Sequence, residues 1–293
     1  MLLVQNDMQM RKIWIRSKGD SAQPIHAALR AALEKNSFEV IDQPDSQMDL
    51  CISVGGDGTF LAALRELGEH RFRVPVLGIH ASPGRGFLLP LTMPKENDAI
   101  TKFVAQVSES LKKGEFTFED RWGLAGTVYE ESGTVKHENL WALNDLVVSR
   151  STLSRLVWLR IYVDGHELLS RLRGDGVIVS SSVGSTGYSL SAGGPIAHPG
   201  LKNIIITPVC PQTLAQRSVV LGENSRVRVE VLDNDTPSHL TDDGQQGREV
   251  MSGETVEIRR ADKPIRFLIP HLMAPRYGDY FQILRDKLGF GGE

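Results

Sequence analysis

Residues 50 to 64 read Leu50-Cys51-Ile52-Ser53-Val54-Gly55-Gly56-Asp57-Gly58-Thr59-Phe60-Leu61-Ala62-Ala63-Leu64. Five strand-like residues run into three glycines set around one carboxylate, and the chain then takes up a helical pattern. A strand that turns sharply into a helix aims its free backbone N–H groups at whatever lies above the turn, and the helix N-terminus adds partial positive charge. Glycine lets the backbone come close to a ligand. The fit is a phosphate chain, with Gly55, Gly56, Gly58 and Thr59 as its cradle. Asp57 repels phosphate, so it makes sense there if it holds a magnesium ion or accepts a proton from an attacking hydroxyl. The plainer alternative is a structural strand-to-helix turn with an Asp cap. No Gly-x-x-x-x-Gly-Lys-Ser/Thr loop occurs, and no Gly-x-Gly-x-x-Gly follows a strand.

Working outward from this turn, Arg11–Arg16 alternates as a first strand, and Pro24–Glu34 has helical spacing with proline near its start. Asp49–Val54 is a nearly all-apolar strand, as in a parallel sheet covered on both faces. Thr59–Leu67 is a helix, Val74–Ile79 a strand, and Thr92–Lys113 an amphipathic helix. This alternation predicts a doubly wound α/β domain over residues 1–118. Beyond it lie short β-type runs at 119–128, 141–149, 157–163, 176–180, 204–207 and 227–232. They are punctuated by Asp164-Gly165, Asp233-Asn234 and Asp243-Gly244. That predicts a β-rich domain over 119–270. The tail 271–293 returns to helical spacing at Asp279–Leu288 and is expected to pack on the first domain.

Composition narrows the function. The 293 residues carry 33 basic and 36 acidic side chains, a net charge of -3, which gives no sign of a protein that coats nucleic acid. Cys51 and Cys210 are the only cysteines, with neither zinc-ligand nor disulfide spacing, so a reducing cytoplasm is the expectation. The opening residues lack a signal-peptide core, and no apolar run approaches the ~20 residues of a membrane span, so no membrane partner is expected. No pair of histidines has zinc-ligand spacing.

Two further stretches carry chemistry. In Gly174–Pro195, 12 of 22 residues are Gly or Ser. Ser185, Thr186 and Tyr188 there offer hydroxyl donors and an aromatic face, suited to ribose and amide hydrogen bonds and to stacking on a flat base. A flexible linker is the alternative, and the apolar residues on both sides argue against it. In Trp141–Arg150, Asn144-Asp145 interrupts an apolar strand with two side chains able to bond a ribose diol or a base edge. A bulge or strand end is equally compatible.

The series Gly55-Gly56-Asp57-Gly58-Thr59, Asn144-Asp145, Asp175-Gly176, Gly184 to Pro195 and Asp243-Gly244-Gln245, in that order, resembles the NAD kinase family of bacterial ATP-NAD kinases. The similarity covers residues from about 10 to the Lys287-Leu288 tail. It implies an α/β N-terminal domain, a β-rich C-terminal domain, an active site between them, and a homodimer or homotetramer. The implied reaction is ATP-dependent phosphorylation of the adenosine 2′-hydroxyl of NAD, with Mg2+ accompanying ATP and no assigned metal ligands. Carried over by position, Asp57 would orient or deprotonate the 2′-hydroxyl, with Gly58 beside it. Asn144 and Asp145 would hold the adenosine ribose, and Asp175 would bond the nicotinamide amide near Tyr188. Thr186, Gly187, Ser189 and Ser191 would line that pocket, Gln245 would close it, and Arg173 would match an arginine found there; Arg155 is a looser match, equally compatible with a solvated charge on a strand. This sequence departs from the family pattern at Ser181-Ser182-Val183, Gly187, the Gly78–Leu88 stretch and Gln212. These departures bear on affinity and on the choice between NAD and NADH. A lipid or sugar kinase sharing only the glycine-Asp turn, and a non-catalytic dinucleotide sensor, are the competing readings.

Overall fold

A computed structural model of the chain describes residues 10–81, 86–89, 91–94, 96–151, 156–232, 237–271 and 278–289. The chain divides into two units, Met1–Asp120 with Ile265–Glu293, and Arg121–Pro264.

The first unit alternates β1 (Lys12–Ser17), α1 (Gln23–Lys35), β2 (Glu39–Ile41), β3 (Leu50–Gly55), α2 (Asp57–Glu66), β4 (Val76–His80) and α3 (Asn97–Lys113). The sheet order is β2-β1-β3-β4, followed by Ile265–Pro270 and Phe116–Arg121, with Leu91–Thr92 beside β4. The pairs β1–β2, β1–β3 and β3–β4 are parallel, as is the pairing of Phe267 with Val76. Residues 265–270, which the sequence reading left with the β-rich segment, are therefore a strand of this sheet.

Every residue of β3 is buried, because helices cover both faces of the sheet. On one face Ile13, Ile52, Val54 and Ile79 meet Ile25, Leu29 and Leu33 of α1 and Val104, Val107 and Leu111 of α3. Those helical residues recur every three or four positions and form one apolar stripe on each helix. On the other face Phe60 of α2 packs its ring 4.9 Å from that of Phe267. Each fully buried side chain of this size contributes roughly 1.5–3 kcal/mol. Cys51 sits in the same strand, fully buried, whereas Cys210 in the second unit is exposed.

The strand order has a functional consequence. From β1 the chain passes through α1 to β2 on one side, while β3 and β4 lie on the other. The direction of winding therefore switches between β1 and β3. In open parallel sheets the ligand crevice lies at the carboxyl ends of the strands at such a switch. The Gly55–Gly58 turn leaves β3 at that point.

The second unit is a sandwich of two six-stranded antiparallel sheets. One runs 166–174, 157–163, 227–231, 255–260, 124–129, 135–142. The other runs 219–221, 204–209, 176–181, 145–150, 238–242, 246–250. Leu159, Val229, Val256 and Val128 of the first sheet interdigitate with Leu146, Val148, Val179, Ile206 and Leu240 of the second. Strands 124–129, 157–163, 227–231 and 238–242 alternate buried and more exposed residues, as sandwich strands do, whereas 176–181 and 204–209 are buried at every position.

Candidate active site

The Asp57 turn is built by close approach. A Cβ on Gly55 would lie 2.5 Å from Thr59 Oγ1, so only glycine lets the strand end against the first turn of α2. A Cβ on Gly56 or Gly58 would meet nothing within 4 Å, so the space above these two glycines is open. Gly56 is extended and caps α2, accepting from Thr59 N at 2.9 Å and Phe60 N at 3.2 Å. The first N–H groups of a helix have no intrahelical acceptor, and here they belong to the glycine-Asp segment. Asp57 is half-buried in the first turn of α2. One of its oxygens, Oδ1, accepts Leu88 N–H at 3.3 Å. Among the described residues no group of three His, Cys, Asp or Glu side chains could hold a metal ion.

In the second unit the Asn144-Asp145 turn is held by a carboxylate to which the sequence reading gave no role. Asp243 Oδ2 accepts Leu143 N–H at 2.9 Å, and Oδ1 accepts Asn144 N–H at 2.7 Å and Asp145 N–H at 3.3 Å. Asp243 N–H donates back to Asp145 O at 3.0 Å. Its neighbour Gly244 completes the turn, and Asp243 itself has φ 48°. The Asp-Gly dipeptide signalled this turn in the sequence; nothing local signalled what the carboxylate grips.

The serine-rich loop closes on the same place. Ser181 Oγ donates to Leu143 O at 2.6 Å and accepts Gly184 N–H at 3.1 Å, and Ser181 N–H donates to Asn144 O at 2.8 Å. A Cβ on Gly184 would fall 2.1 Å from Asn144 O. Asp145 is only 5% exposed. Burial, and then the charge of Asp243, push its carboxyl up to about 7. Burial likewise lifts Asp243 to about 6, against the pull of its three N–H donors. Two acids with raised proton affinity thus sit beside a loop that ends in hydroxyls.

The remaining predicted residues are distributed as follows. Thr186 is half-buried, Gly187, Ser191 and Gln245 are exposed, and Tyr188 is 50% exposed, so its ring is available for stacking. Ser189 points inward and hydrogen-bonds Thr207 at 3.0 Å. Ser185 is buried, donating to Ser182 O at 2.7 Å and accepting Ala197 N–H at 3.0 Å, and so fixes the loop. Asp175 pairs with Arg150 (Nε to Oδ1, 3.2 Å), a partner the sequence reading did not foresee. Arg173 lies over the ring of Trp158, 4.8 Å from its centroid. Arg155 lies outside the described residues.

The strands Asp145–Arg150 and Gly176–Ser181 are antiparallel, with Asp145 opposite Ser180 and Ser149 opposite Gly176. Asp145 and Asp175 therefore stand at opposite ends of one strand pair, roughly 17 Å apart at ~3.4 Å per residue. The turn at 143–145, the 181–186 loop and Asp243 form one cluster. Asp175 and Arg150 form a separate pair.

Comparisons with known proteins agree with the fold and with its two parts. Residues 3–109 match the family described as ATP-NAD kinase N-terminal domain, and residues 143–269 the ATP-NAD kinase C-terminal domain. The chain is 36% identical over 250 residues to the NAD kinase of Geotalea daltonii, covering 85% of this chain and 81% of that one. It is 34% identical over 287 residues to the NAD kinase of Syntrophotalea carbinolica, covering 95% and 91%. Among solved structures, an NAD kinase from Archaeoglobus fulgidus in complex with ATP superposes with a TM-score of 0.72 at 26% identity, over 94% of this chain and 99% of that one. Yeast NADH kinase complexed with NADH has the same fold, with a TM-score of 0.82 at 22% identity over 97% and 89%. A glycine-bounded carboxylate on a doubly wound sheet and an Asn-Asp turn gripped within a β-sandwich occur together in a sequence related to these proteins over most of its length, and the chain belongs to the NAD kinase family.

Proposed function

We propose that this chain transfers the γ-phosphoryl group of ATP to the adenosine 2′-hydroxyl of NAD, giving NADP and ADP. The observation that carries the reading is the lone carboxylate of Asp57, set in an open glycine turn where β3 meets α2 at the winding switch of a parallel sheet. The NAD kinase relatives support the same reading over most of the chain.

Phosphoryl transfer asks a protein mainly for positioning and charge compensation. Gly55, Gly56 and Gly58 bring the backbone and a helix end close to the ATP phosphates, with Thr59, whose N–H is held by Gly56 O, completing the cradle. Asp57 accepts the proton of the 2′-hydroxyl as its oxygen bonds to the γ-phosphorus and the bond to the β–γ bridging oxygen breaks. Asn144 and Asp145 hold the adenosine ribose. Asp175 takes the nicotinamide amide, with Tyr188 and the Thr186–Ser191 loop beside the dinucleotide and Gln245 at its edge. A magnesium ion would be held largely by the ATP oxygens, since among the described residues no group of three His, Cys, Asp or Glu side chains could hold one, and it would offset phosphate charge. The enzyme is proposed to act as a homodimer or homotetramer in the cytoplasm.

The test is purified protein with NAD, ATP and magnesium, coupled to an NADP-specific dehydrogenase. NADP formation is expected from the wild-type chain. Asp57→Asn is expected to keep the wild-type circular dichroism and lose about 10²–10⁴-fold in turnover, the range of a general base. A folded Asp57→Asn variant with near wild-type turnover removes Asp57 from the mechanism. A wild-type chain that binds NAD without forming NADP is a sensor, not a kinase.

A further inference from the structure

Asp57 is steadied on one side by a short run that has its own support. Leu88 donates its N–H to Asp57 Oδ1 at 3.3 Å. Gly86 is packed so close that a Cβ there would lie 2.7 Å from the same oxygen. Leu88 and Leu89 are buried at 4% and 1% exposure, and Leu89 Cδ2 would be 2.6 Å from a Cβ on Gly78 of β4. The run is thus tied to the sheet through its leucines. Phe87, between Gly86 and Leu88, is only half-buried.

Phe87 is covered from the other end of the sequence. The C-terminal helix Gly278–Leu288 places Lys287 Nζ 4.9 Å from the centroid of the Phe87 ring. Lys287 lies in the last turn of that helix, where the helix dipole favours a cation, and Leu284, one turn earlier, is buried. An ammonium at this distance from a phenyl ring makes a cation–π contact. Two hundred residues beyond Phe87, the chain returns to press on the segment whose Leu88 N–H donates to the Asp57 carboxylate.

We infer that Lys287 is a positioning residue for Asp57, acting through Phe87 on the Leu88 N–H that fixes one carboxylate oxygen and leaves the other to face the hydroxyl. This role rests on the proposed kinase reaction for its kinetic consequence, but not for its structural one. With the contact gone, Phe87 loses its cover, the Leu88 bond opens more often, and Asp57 samples rotamers that do not meet the hydroxyl.

The experiment compares Lys287→Met, Lys287→Arg, Phe87→Leu and the double variant Lys287→Met/Phe87→Leu with the wild type. Steady-state rates against NAD and ATP, thermal melts and amide hydrogen exchange at Leu88 are measured on each. Lys287→Met is expected to lower kcat about two- to fivefold, the size of one exposed cation–π contact. KM for both substrates and the melting temperature should stay near wild type. Leu88 exchange should quicken by the same two- to fivefold. Lys287→Arg restores both readouts, because a guanidinium also stacks on an aromatic face. The double variant should be no worse than its more impaired single variant, since the two residues act as one unit. Wild-type kcat and wild-type Leu88 exchange in Lys287→Met overturn the inference, as do additive effects in the double variant. If the wild-type chain makes no NADP, the proposed reaction falls, while the exchange measurement still decides the role of Lys287.

Discussion

At the scale of single residues, Asp145 carries the clearest consequence. Its carboxyl is buried beside Asp243 and is pushed up to about 7 from an ordinary 3.8. The folded state therefore holds this proton more tightly than the unfolded chain. The stability it contributes is complete below pH ~4 and is lost as pH rises towards about 7, with a slope of at most about 1.4 kcal/mol per pH unit. Replacing Asp145 with asparagine removes that loss. Urea titrations at several pH values should show Asp145→Asn gaining on the wild type from about pH 4 to 7; a difference that does not change with pH would contradict the assigned environment. In the kinase assay, Asp145→Ala should chiefly raise KM for NAD. The sequence made the Asn144-Asp145 pair legible as a polar break in an apolar strand. It could not show Asp243 behind it, because the three N–H donors lie about 100 residues away in the chain.

At the scale of elements, the strand–glycine–helix unit was readable because all its physics is local: β3, its turn and α2 lie within 17 consecutive residues. The 181–186 loop was readable only as composition. Its glycine matters for a non-local reason, the 2.1 Å approach to Asn144 O. Gly184→Ala should therefore displace the 143–145 turn, raising KM for NAD at least tenfold (roughly 1.4 kcal/mol of lost binding), whereas Gly187→Ala, whose Cβ would come no nearer than 3.3 Å to any atom, should cost far less. Comparable kinetics for the two variants would refute this account of the loop. The run 119–128, read as one strand, is in fact two. Phe116–Arg121 belongs to the first unit's sheet and Leu124–Tyr129 to the sandwich, with Gly123 at the break, where a Cβ would lie 2.4 Å from Ala142 O. The strand His166–Gly174 escaped notice because it lies at a sheet edge with most of its side chains in water, so apolar alternation is lost.

At the scale of the whole molecule, the α/β half announced itself through regular alternation, and the sandwich only through the density of turns. Antiparallel strand order is set by long-range pairing that leaves little mark on any one segment, as with 255–260 set between 227–231 and 124–129. The return of 265–270 to the first sheet was invisible for the same reason: its apolar run suits either sheet. Assembly is also a property of this scale. A chain of 32.4 kDa that works as a dimer or tetramer should sediment at two or four times that mass at assay concentrations, and a monomer with full activity would remove the proposed assembly.

The two cysteines turn the protein into its own clock. Cys210 is open to solvent, and Cys51 lies sealed in the strand that ends at the Asp57 turn, so a thiol dye should tag one sulfur at once and the second only when that strand comes apart. The lag between the two labelling phases measures how often the heart of the first unit opens. A nucleotide that settles over the turn should lengthen the lag, with no need for turnover to see it.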